Sequence, residues 1–276
     1  MEHGRGKSVL SMTMDKFMAD TCMSHAAALS FYVVLSIIPL LFVLVSIGSY
    51  IVGTTGSFFA YIVSILRHFI PDVSPAIIGD VHNLLEKRNA IGIIGFVFLL
   101  FSSDLAVLEA KRSLDVIFKL EKRRNPLFIK GKSMFVILLS GLLVSFLFII
   151  TPVFGVLIKL DLPVLSRTLY IIATIMSSRI FAFLMVLLLF SAAYSFLPSK
   201  KIDGEYSMMA GAITAVLWTI TRVMFSWYLA HHSNINIVYG SLAAIVVTIL
   251  WVYYTSLIFL FSAEFVSSVR ERRERQ

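Results

Sequence analysis

The chain has 276 residues, of which 58% are hydrophobic and only 14% charged, and its mean hydropathy is +0.89. A soluble domain usually contains about 45–50% apolar and about 25% charged residues, so this composition excludes a water-soluble fold. The net charge of +8 would suit a nucleic acid, but basic residues of membrane proteins collect in cytoplasmic loops, and we expect no nucleic-acid partner. The single cysteine excludes an intrachain disulfide.

The first element in chain order is a short amphipathic segment ahead of the long apolar ones. Its apolar residues recur near helical spacing, with charged residues between them, which is typical of a helix that lies in the cytoplasmic interface without crossing. They are Val9, Leu10, Met14, Phe17 and Met18.

Six apolar segments follow, each about 20 residues or longer, which is the length that a helix needs to cross a bilayer. We predict spans at about 26–52, 90–109, 133–158, 169–197, 206–230 and 238–266. The sequence therefore predicts an all-α integral membrane protein, with residues 1–276 forming a single polytopic membrane domain.

The first outer loop, 53–89, is long for a bare connection. It contains two groups of periodic apolar residues separated by Pro71 and Pro75. We predict an amphipathic helical hairpin that either caps the outer face of the bundle or enters it as a re-entrant hairpin.

The distribution of Lys and Arg residues predicts the orientation. With six spans and the N-terminus inside, 17 basic residues fall on the cytoplasmic side and 5 on the outer side. Because cytoplasmic loops carry the excess of basic residues, we expect both termini in the cytoplasm.

Polar residues interrupt the first span in the stretch LSFYVVLSIIPLL, Leu29 to Leu41. At about 100° per residue, one helix face carries His25, Tyr32, Ser36, Pro39, Ser46 and Tyr50. Pro39 also frees a carbonyl that needs another partner inside a bilayer. The stripe either packs against other helices or lines a polar path, and both interpretations remain open.

Two later helices have related patterns. One face of the last helix carries Ser241, Ala244, Thr248, Trp251, Thr255 and Ser262, and we predict that Tyr32, Ser36 and Thr248 face the bundle interior. The ladder Ser207, Gly211, Ala215 and Thr219 in the fifth helix has the small-residue spacing of close helix packing.

Ionisable residues within spans are costly in hydrocarbon and are often functional. By residue counting, His25, Asp104, Glu109 and Glu264 fall in the cytoplasmic half, where ordinary interfacial carboxylates are the competing interpretation. Arg179 and Arg222 fall in the outer half. Arg179 either lies within its span or begins it, and Arg222 either reaches out to the headgroups or holds an anion such as a lipid phosphate.

Three segments carry a resemblance to a known family. They are AALSFYVVLSIIPLL (Ala27–Leu41), YSFLP (Tyr194–Pro198) and YGSLAAIVVTILWVYYTSLIFLFSAEF (Tyr239–Phe265). Together they resemble the YihY/BrkB family of bacterial inner-membrane proteins, formerly called ribonuclease BN. Ser195 stands where that family pattern has an arginine. The resemblance implies six membrane helices in the bacterial cytoplasmic membrane, and export of lipid or lipid-like molecules is the leading proposal for the family's activity.

These observations favour a transporter, flippase or exporter of lipid or another anionic amphiphile. The pathway candidates are Arg222, Arg179, Tyr32, Ser36, Pro39, Asp104, Thr248 and Glu264. The alternative is a non-transporting scaffold whose basic loop, Lys111–Lys132, binds anionic lipid or a partner protein. A ribonuclease would need clustered carboxylates and imidazoles, and the sequence has no such cluster. We therefore expect no enzyme, cofactor or metal site; membrane lipids are the expected partners, and a homo-oligomer or protein partner stays open.

Overall fold

The computed structural model describes residues 8–51, 88–120, 178–231 and 243–274. Within these ranges it contains helices and no strand, which confirms the predicted all-helical class for this part of the chain. The helices are α1 (Val9–Ala19), α2 (Cys22–Ile51), α3 (Arg88–Ile117), α4 (Arg179–Phe196), α5 (Gly204–His231) and α6 (Ala243–Glu274). The third predicted span, 133–158, and nearly all of the predicted hairpin, 53–89, lie outside the described residues.

Five of the described helices are long and apolar enough to cross a membrane. They contain the segments Cys22–Val43, Ala90–Ile117, Arg179–Phe196, Gly204–Tyr228 and Ile245–Glu274. The protein is therefore a multi-pass helical membrane protein, while the predicted count of six spans stays a prediction.

The fourth helix begins later than the predicted span 169–197. It starts at Arg179, because Ser178 takes an extended conformation and its side chain accepts a hydrogen bond from the Phe181 backbone N–H at 3.1 Å. Serine is a favoured residue at this position because its hydroxyl satisfies one of the free amides of the first turn. Of the two interpretations of Arg179, the one in which it begins the helix agrees with the structure.

The described residues fall into two compact units, one drawn from Met1–Ser30 and Ala106–Gln276 and the other from Phe31–Leu105. In the second unit, α2 and α3 approach closely at two glycines. A Cβ atom on Gly95 would lie 2.8 Å from Phe42 Cβ and 3.3 Å from the Pro39 carbonyl oxygen, and one on Gly92 would lie 2.9 Å from Ser46 Cβ. These contacts leave no room for a side chain, as in other small-residue helix contacts in membranes.

In the first unit, α5 packs against both α4 and α6. A Cβ atom on Gly211 would lie 2.7 Å from the Ser191 backbone nitrogen, which confirms the predicted packing role of this ladder position. The buried Tyr194 hydroxyl lies 2.7 Å from Thr214 Oγ1 and donates to the Phe259 carbonyl at 2.7 Å. The Tyr194 hydroxyl therefore connects α4, α5 and α6, and it finds its hydrogen-bond partners within the bundle.

Helix α1 packs on the C-terminal part of α6. The Phe17 ring meets Phe261 edge-on, with 5.9 Å between ring centroids, and Thr13 is buried beside it. The adjoining side of α1 exposes Leu10, Met14 and Met18. An exposed apolar stripe is what an interfacial helix requires. The predicted helix is confirmed, and its location at the membrane surface stays a prediction.

Two polar contacts define the end of the first unit that carries the α4–α5 turn. Asp115 of α3 accepts hydrogen bonds from Ser199 N at 2.7 Å and Ser199 Oγ at 2.5 Å. Arg273 of α6 pairs with Glu205 at the start of α5, with 2.9 Å between Nη1 and Oε1. The end of α6 therefore lies beside the start of α5, and the start of α4 lies at the opposite end of this unit.

Candidate functional site

An open cleft lies between the start of α4 and the C-terminal half of α5. Its volume is about 610 Å³, and its lining residues are Arg179, Arg222, Val223, Ser226, Trp227 and His231. We call this site the arginine cleft. The two arginines that residue counting placed at a similar depth therefore line one cavity, although 43 positions of sequence separate them.

Both guanidinium groups of the arginine cleft belong to exposed residues. Within the described residues, neither Arg179 nor Arg222 has a carboxylate within the 4.0 Å of an ion pair. Arg222 instead lies over the Trp218 ring, with Cζ 5.7 Å from the ring centroid, which is a cation–π distance. The described part of the cleft thus has a positive potential.

Aromatic contacts hold the cleft side of α5 in place. Trp218 and Phe225 both contact Trp251 of α6, at centroid distances of 5.9 Å and 5.1 Å. Trp227 stacks on His231 at 4.8 Å, and His231 Nδ1 lies 2.9 Å from the Trp227 carbonyl oxygen. Arg222 therefore stands on a helix that is fixed to its neighbour by large rings.

The arginine cleft suits a ligand that carries an anionic group next to an apolar part. A guanidinium can donate two parallel hydrogen bonds to a phosphate or carboxylate, and two guanidiniums can hold a doubly charged group. Val223 and the Trp227 ring add apolar surface to the same cleft. Among the residues that the structure describes, no group of three His, Cys, Asp or Glu side chains is arranged to hold a metal ion.

A second cluster of ionisable groups lies at the opposite end of the first unit, where α1 packs on α6. Glu264 is fully buried, and its Oε1 lies 4.0 Å from the Cys22 Sγ at the start of α2. Asp20, two residues before Cys22, caps the C-terminal end of α1. We call Lys16, Asp20, Cys22, Lys119, Glu264 and Glu271 the carboxyl cluster.

Glu271 supplies the ion pairs of the carboxyl cluster. Its Oε2 lies 3.1 Å from Lys16 Nζ of α1, and its Oε1 lies 2.8 Å from Lys119 Nζ in the turn after α3. The hydrogen bond from Lys119 to Glu271 raises the pKa of Lys119 above its ordinary value. A single carboxylate therefore connects three segments of the chain.

A histidine–carboxylate pair lies near the same end. His25 Nδ1 of α2 lies 2.8 Å from Glu109 Oε1 of α3, and Arg112 Nη1 lies 4.0 Å from Glu109 Oε2. The sequence placed His25 and Glu109 at a common depth without pairing them. The structure joins α2 to α3 through this contact.

The other predicted pathway residues do not gather at either site. Tyr32 and Ser36 are partly buried in the second unit, and the Ser36 hydroxyl donates to the Tyr32 carbonyl at 2.9 Å within its own helix. Pro39 is buried at the close contact with Gly95, which agrees with the packing interpretation. Asp104 is exposed, and Thr248 is partly buried in α6.

Asp20, Cys22 and Lys16 are the residues that sequence reasoning missed. Asp20 and Cys22 flank Thr21, whose φ of 51° marks the turn between α1 and α2. A turn between two apolar helices is a readable signal, but Cys22 and Glu264 are 242 positions apart, and no spacing rule connects them.

Comparison with known proteins identifies the family. The family described as "Virulence factor BrkB" matches residues 13–276. The chain belongs to this BrkB family. The match covers nearly the whole chain, so the resemblance read from the first helix, the YSFLP segment and the last helix is confirmed.

Similar BrkB-family proteins come from several bacteria. A UPF0761 membrane protein of Aliivibrio fischeri (strain MJ11) is 25% identical over 269 residues, which cover 96% of this chain and 84% of the relative. The ribonuclease-like protein YfkH of Bacillus subtilis (strain 168) is 23% identical over 267 residues, or 91% of each chain. A UPF0761 membrane protein of Vibrio vulnificus (strain YJ016) is 26% identical over 254 residues, with 90% and 78% covered. No solved structure matches the chain significantly.

Proposed function

We propose that this BrkB-family protein is a transporter of lipid or another anionic amphiphile, acting as a flippase or exporter, and that the arginine cleft binds the anionic headgroup. One observation carries the proposal: Arg179 and Arg222, from two different helices, line the same open cleft. By the bias of basic residues, this end of α4 and α5 faces away from the cytoplasm.

Charge supports an anionic ligand. An arginine within a membrane span is expensive unless it meets water, a counter-charge or a headgroup. No carboxylate in the described residues pairs with Arg179 or Arg222, so the positive charge of the cleft is available to a ligand. A phosphate would supply the counter-charge and would match the planar fork of each guanidinium.

The lining of the cleft supports an amphiphile rather than a free ion. Val223 and Trp227 give it apolar surface next to the guanidiniums, and its volume of about 610 Å³ lies in the range of small-molecule sites. A headgroup with an attached glycerol or sugar could therefore lie against the rings while its phosphate meets the arginines.

Three competing interpretations predict different behaviour. A scaffold would bind anionic lipid without moving it. An internal ion pair of Arg222 with Asp72 or Asp80, both outside the described residues, would make the arginine structural. A ribonuclease is suggested by the former name of the family and by the name of the Bacillus relative, but His231 has no acidic neighbour among the lining residues of the cleft. General acid–base or metal-assisted hydrolysis would require such neighbours.

Reconstitution into liposomes tests the proposal. The full chain is compared with Arg222→Lys, which keeps the charge and loses the fork, and Arg222→Gln, which loses both. The measurements are binding and transbilayer movement of fluorescent phosphatidic acid, with phosphatidylcholine as the zwitterionic reference. We expect both variants to lose about ten-fold or more in phosphatidic acid binding, since a hydrogen bond to a charged group contributes about 1.5–3 kcal/mol.

Arg272→Gln is the matched control, because Arg272 is an exposed arginine in the last turn of α6, far from the cleft. It should bind and move lipid like the parent protein. Normal lipid handling by Arg222→Gln would overturn the proposal. Binding that depends on Arg222 without any transbilayer movement would assign the scaffold function. Misfolding of Arg222→Gln that Asp72→Asn or Asp80→Asn rescues would assign Arg222 to an internal ion pair.

A further inference from the structure

His231 lines the arginine cleft, and the proposed function gives it no role. The residue is exposed and follows Tyr228, the last residue of the apolar segment Gly204–Tyr228 of α5, by three positions. Arg222 lines the same cleft and lies within that apolar segment. The cleft therefore extends from inside the apolar part of α5 to beyond its end.

The hydrogen bond of the His231 ring determines which nitrogen remains for a ligand. Nδ1 lies 2.9 Å from the Trp227 carbonyl oxygen. Because a carbonyl oxygen only accepts hydrogen bonds, Nδ1 is the donor and Nε2 is the nitrogen that remains. Nε2 accepts a hydrogen bond when the ring is neutral and donates one when the ring is protonated.

A phosphate monoester is an anion that fits both states of Nε2. It loses its second proton at about pH 6, so the P–OH form and the dianion are both present near neutral pH. The P–OH form donates to the neutral ring, and the dianion accepts from the protonated ring. A phosphate diester has no P–OH and binds only the protonated ring. His231 therefore suits a terminal phosphate monoester.

Arg222 and His231 are too far apart to hold the same phosphate. Nine positions separate them, which correspond to about 13.5 Å along the axis of α5. Both side chains are directed one turn back along the helix. The Arg222 Cζ lies 5.7 Å from the centroid of the Trp218 ring. The His231 ring bonds to the Trp227 carbonyl in the same direction. Their polar ends therefore stay apart, at the two ends of the cleft.

The surface between these two ends suits a ring. Val223, Ser226 and Trp227 lie between Arg222 and His231 in α5 and line the cleft with them. Trp227 is 59% exposed, and its ring stacks on His231 at 4.8 Å. A sugar or cyclitol ring has C–H groups for the indole and hydroxyls for Ser226. The cavity volume of about 610 Å³ accommodates such a ring.

We propose that the ligand of the cleft is an amphiphile whose headgroup carries two phosphates separated by a ring, an inference that rests on the proposed function. Arg222 holds the phosphate that is attached to the lipid chains, and His231 Nε2 holds a terminal phosphate monoester. This order agrees with the positions of the two residues, because Arg222 lies within the apolar segment and His231 beyond it. Among the lining residues that the structure describes, none is acidic and none repels a second phosphate.

Two probes test for the terminal phosphate. Phosphatidylinositol and phosphatidylinositol 4-phosphate share their chains, their ring and one phosphate diester, and only the second has a terminal phosphate monoester. Short-chain dioctanoyl forms of both are titrated into the full chain in detergent at neutral pH, and binding is measured by calorimetry. We expect the parent protein to bind phosphatidylinositol 4-phosphate about ten-fold more tightly, the effect of one hydrogen bond to a charged group. Equal affinity for the two probes would overturn the proposal.

His231→Phe tests whether the ring nitrogen makes the contact. The variant keeps a ring that stacks on Trp227 and removes both nitrogens. It should bind both probes with the affinity that the parent protein has for phosphatidylinositol. A preference that persists in His231→Phe rules out the second phosphate site. An equal loss of affinity for both probes also rules it out, since a purely structural role of His231 predicts that result.

Arg272→Gln is the matched control, because it removes an exposed cation in the last turn of α6, far from the cleft. It should keep the preference of the parent protein. Loss of the preference in this variant would assign it to general positive charge and overturn the proposal. Arg222→Gln should weaken the binding of both probes. If it binds both probes like the parent protein, the proposed function fails, whereas a preference that survives His231→Phe removes only the second phosphate site.

A second measurement needs no variant. The phosphorus NMR spectrum of phosphatidylinositol 4-phosphate has separate signals for its diester and its monoester. Both signals should shift when the probe binds the parent protein, because each phosphate gains a cationic or hydrogen-bonding partner. A shifted diester signal beside an unshifted monoester signal would show that the terminal phosphate has no site, even if His231→Phe failed to fold.

Discussion

The arginine cleft and the carboxyl cluster occupy opposite ends of the same unit, and their charged groups differ in exposure and in pairing. The cleft is open, its two cations come from exposed residues, and no described carboxylate neutralises them. The cluster buries Glu264 completely and surrounds it with both signs of charge. At the two ends of this unit, ionisable groups are therefore either exposed without a described counter-charge or buried near charged side chains, and only the structure separates these two cases.

The largest expected effect comes from a substitution in α1 that should disturb the carboxyl cluster and leave the arginine cleft intact. Phe17 is 5% exposed, and its replacement in Phe17→Ala removes the ring that packs on Phe261. Loss of a buried Phe side chain costs about 3–5 kcal/mol. We expect α1 to detach from α6 more often, so that Cys22 reacts faster with a small maleimide, while phosphatidic acid binding at the arginine cleft is unchanged.

Met14→Ala is the control for Phe17→Ala, because Met14 lies on the same helix and is 51% exposed. It should leave Cys22 protected. A parallel loss of lipid binding in Phe17→Ala would show that the two regions are coupled and would contradict this prediction.

A smaller effect is expected from a substitution at Gly211, which should disturb the arginine cleft and leave the carboxyl cluster intact. In Gly211→Ala the new Cβ would meet the Ser191 backbone nitrogen at 2.7 Å, so α4 and α5 must move apart. Such overpacking costs about 1–3 kcal/mol. Because these two helices carry Arg179 and Arg222, we expect weaker phosphatidic acid binding and a lower thermal midpoint, with Cys22 still protected.

Gly204→Ala provides the comparison for Gly211→Ala, since a Cβ on Gly204 meets nothing within 4 Å. Its thermal midpoint and lipid binding should match those of the parent protein. Equal lipid binding by Gly211→Ala and Gly204→Ala would mean that the cleft does not depend on the spacing of α4 and α5.

The smallest effect concerns Lys119→Gln. The Lys119 side chain is 66% exposed and solvent screens its pair with Glu271, so we expect a loss below about 1 kcal/mol. Since folding raises the pKa of Lys119, this contribution is complete below the ordinary lysine pKa and disappears as the pH rises through the raised value. The thermal midpoints of the variant and parent should differ at neutral pH and converge in strong alkali. A difference that persists in strong alkali would contradict this account.

Hydrophobic periodicity predicted much of the described fold, because apolar runs of membrane length have few alternatives. The predicted first and fifth spans, 26–52 and 206–230, lie close to α2 (Cys22–Ile51) and α5 (Gly204–His231). Helices α3 and α6 continue past the second and sixth predicted spans, 90–109 and 238–266, to Ile117 and Glu274. These extensions are polar, so a search for apolar segments stops before them.

The candidate sites were less accessible to sequence reasoning. Counting residues along helices gave Arg179 and Arg222 a common depth, and the structure brings them into one cleft. The contact of Glu264 with Cys22 could not be predicted in the same way, since it depends on how the start of α2 packs against α6. For Pro39, the alternatives of helix packing and of lining a polar path could be stated from sequence, but its contact with Gly95 is visible only in the packed helices.

The packing of α1 on α6 has a consequence for biosynthesis. Phe17 is synthesised 244 residues before its partner Phe261, so the contact between them forms only after the intervening chain has been made. If α1 lies at the membrane surface as predicted, Leu10, Met14 and Met18 contact lipid before α6 is made, whereas the side of α1 that packs on α6 has no partner until then. The exposed stripe would thus hold α1 at the membrane surface until α6 is made.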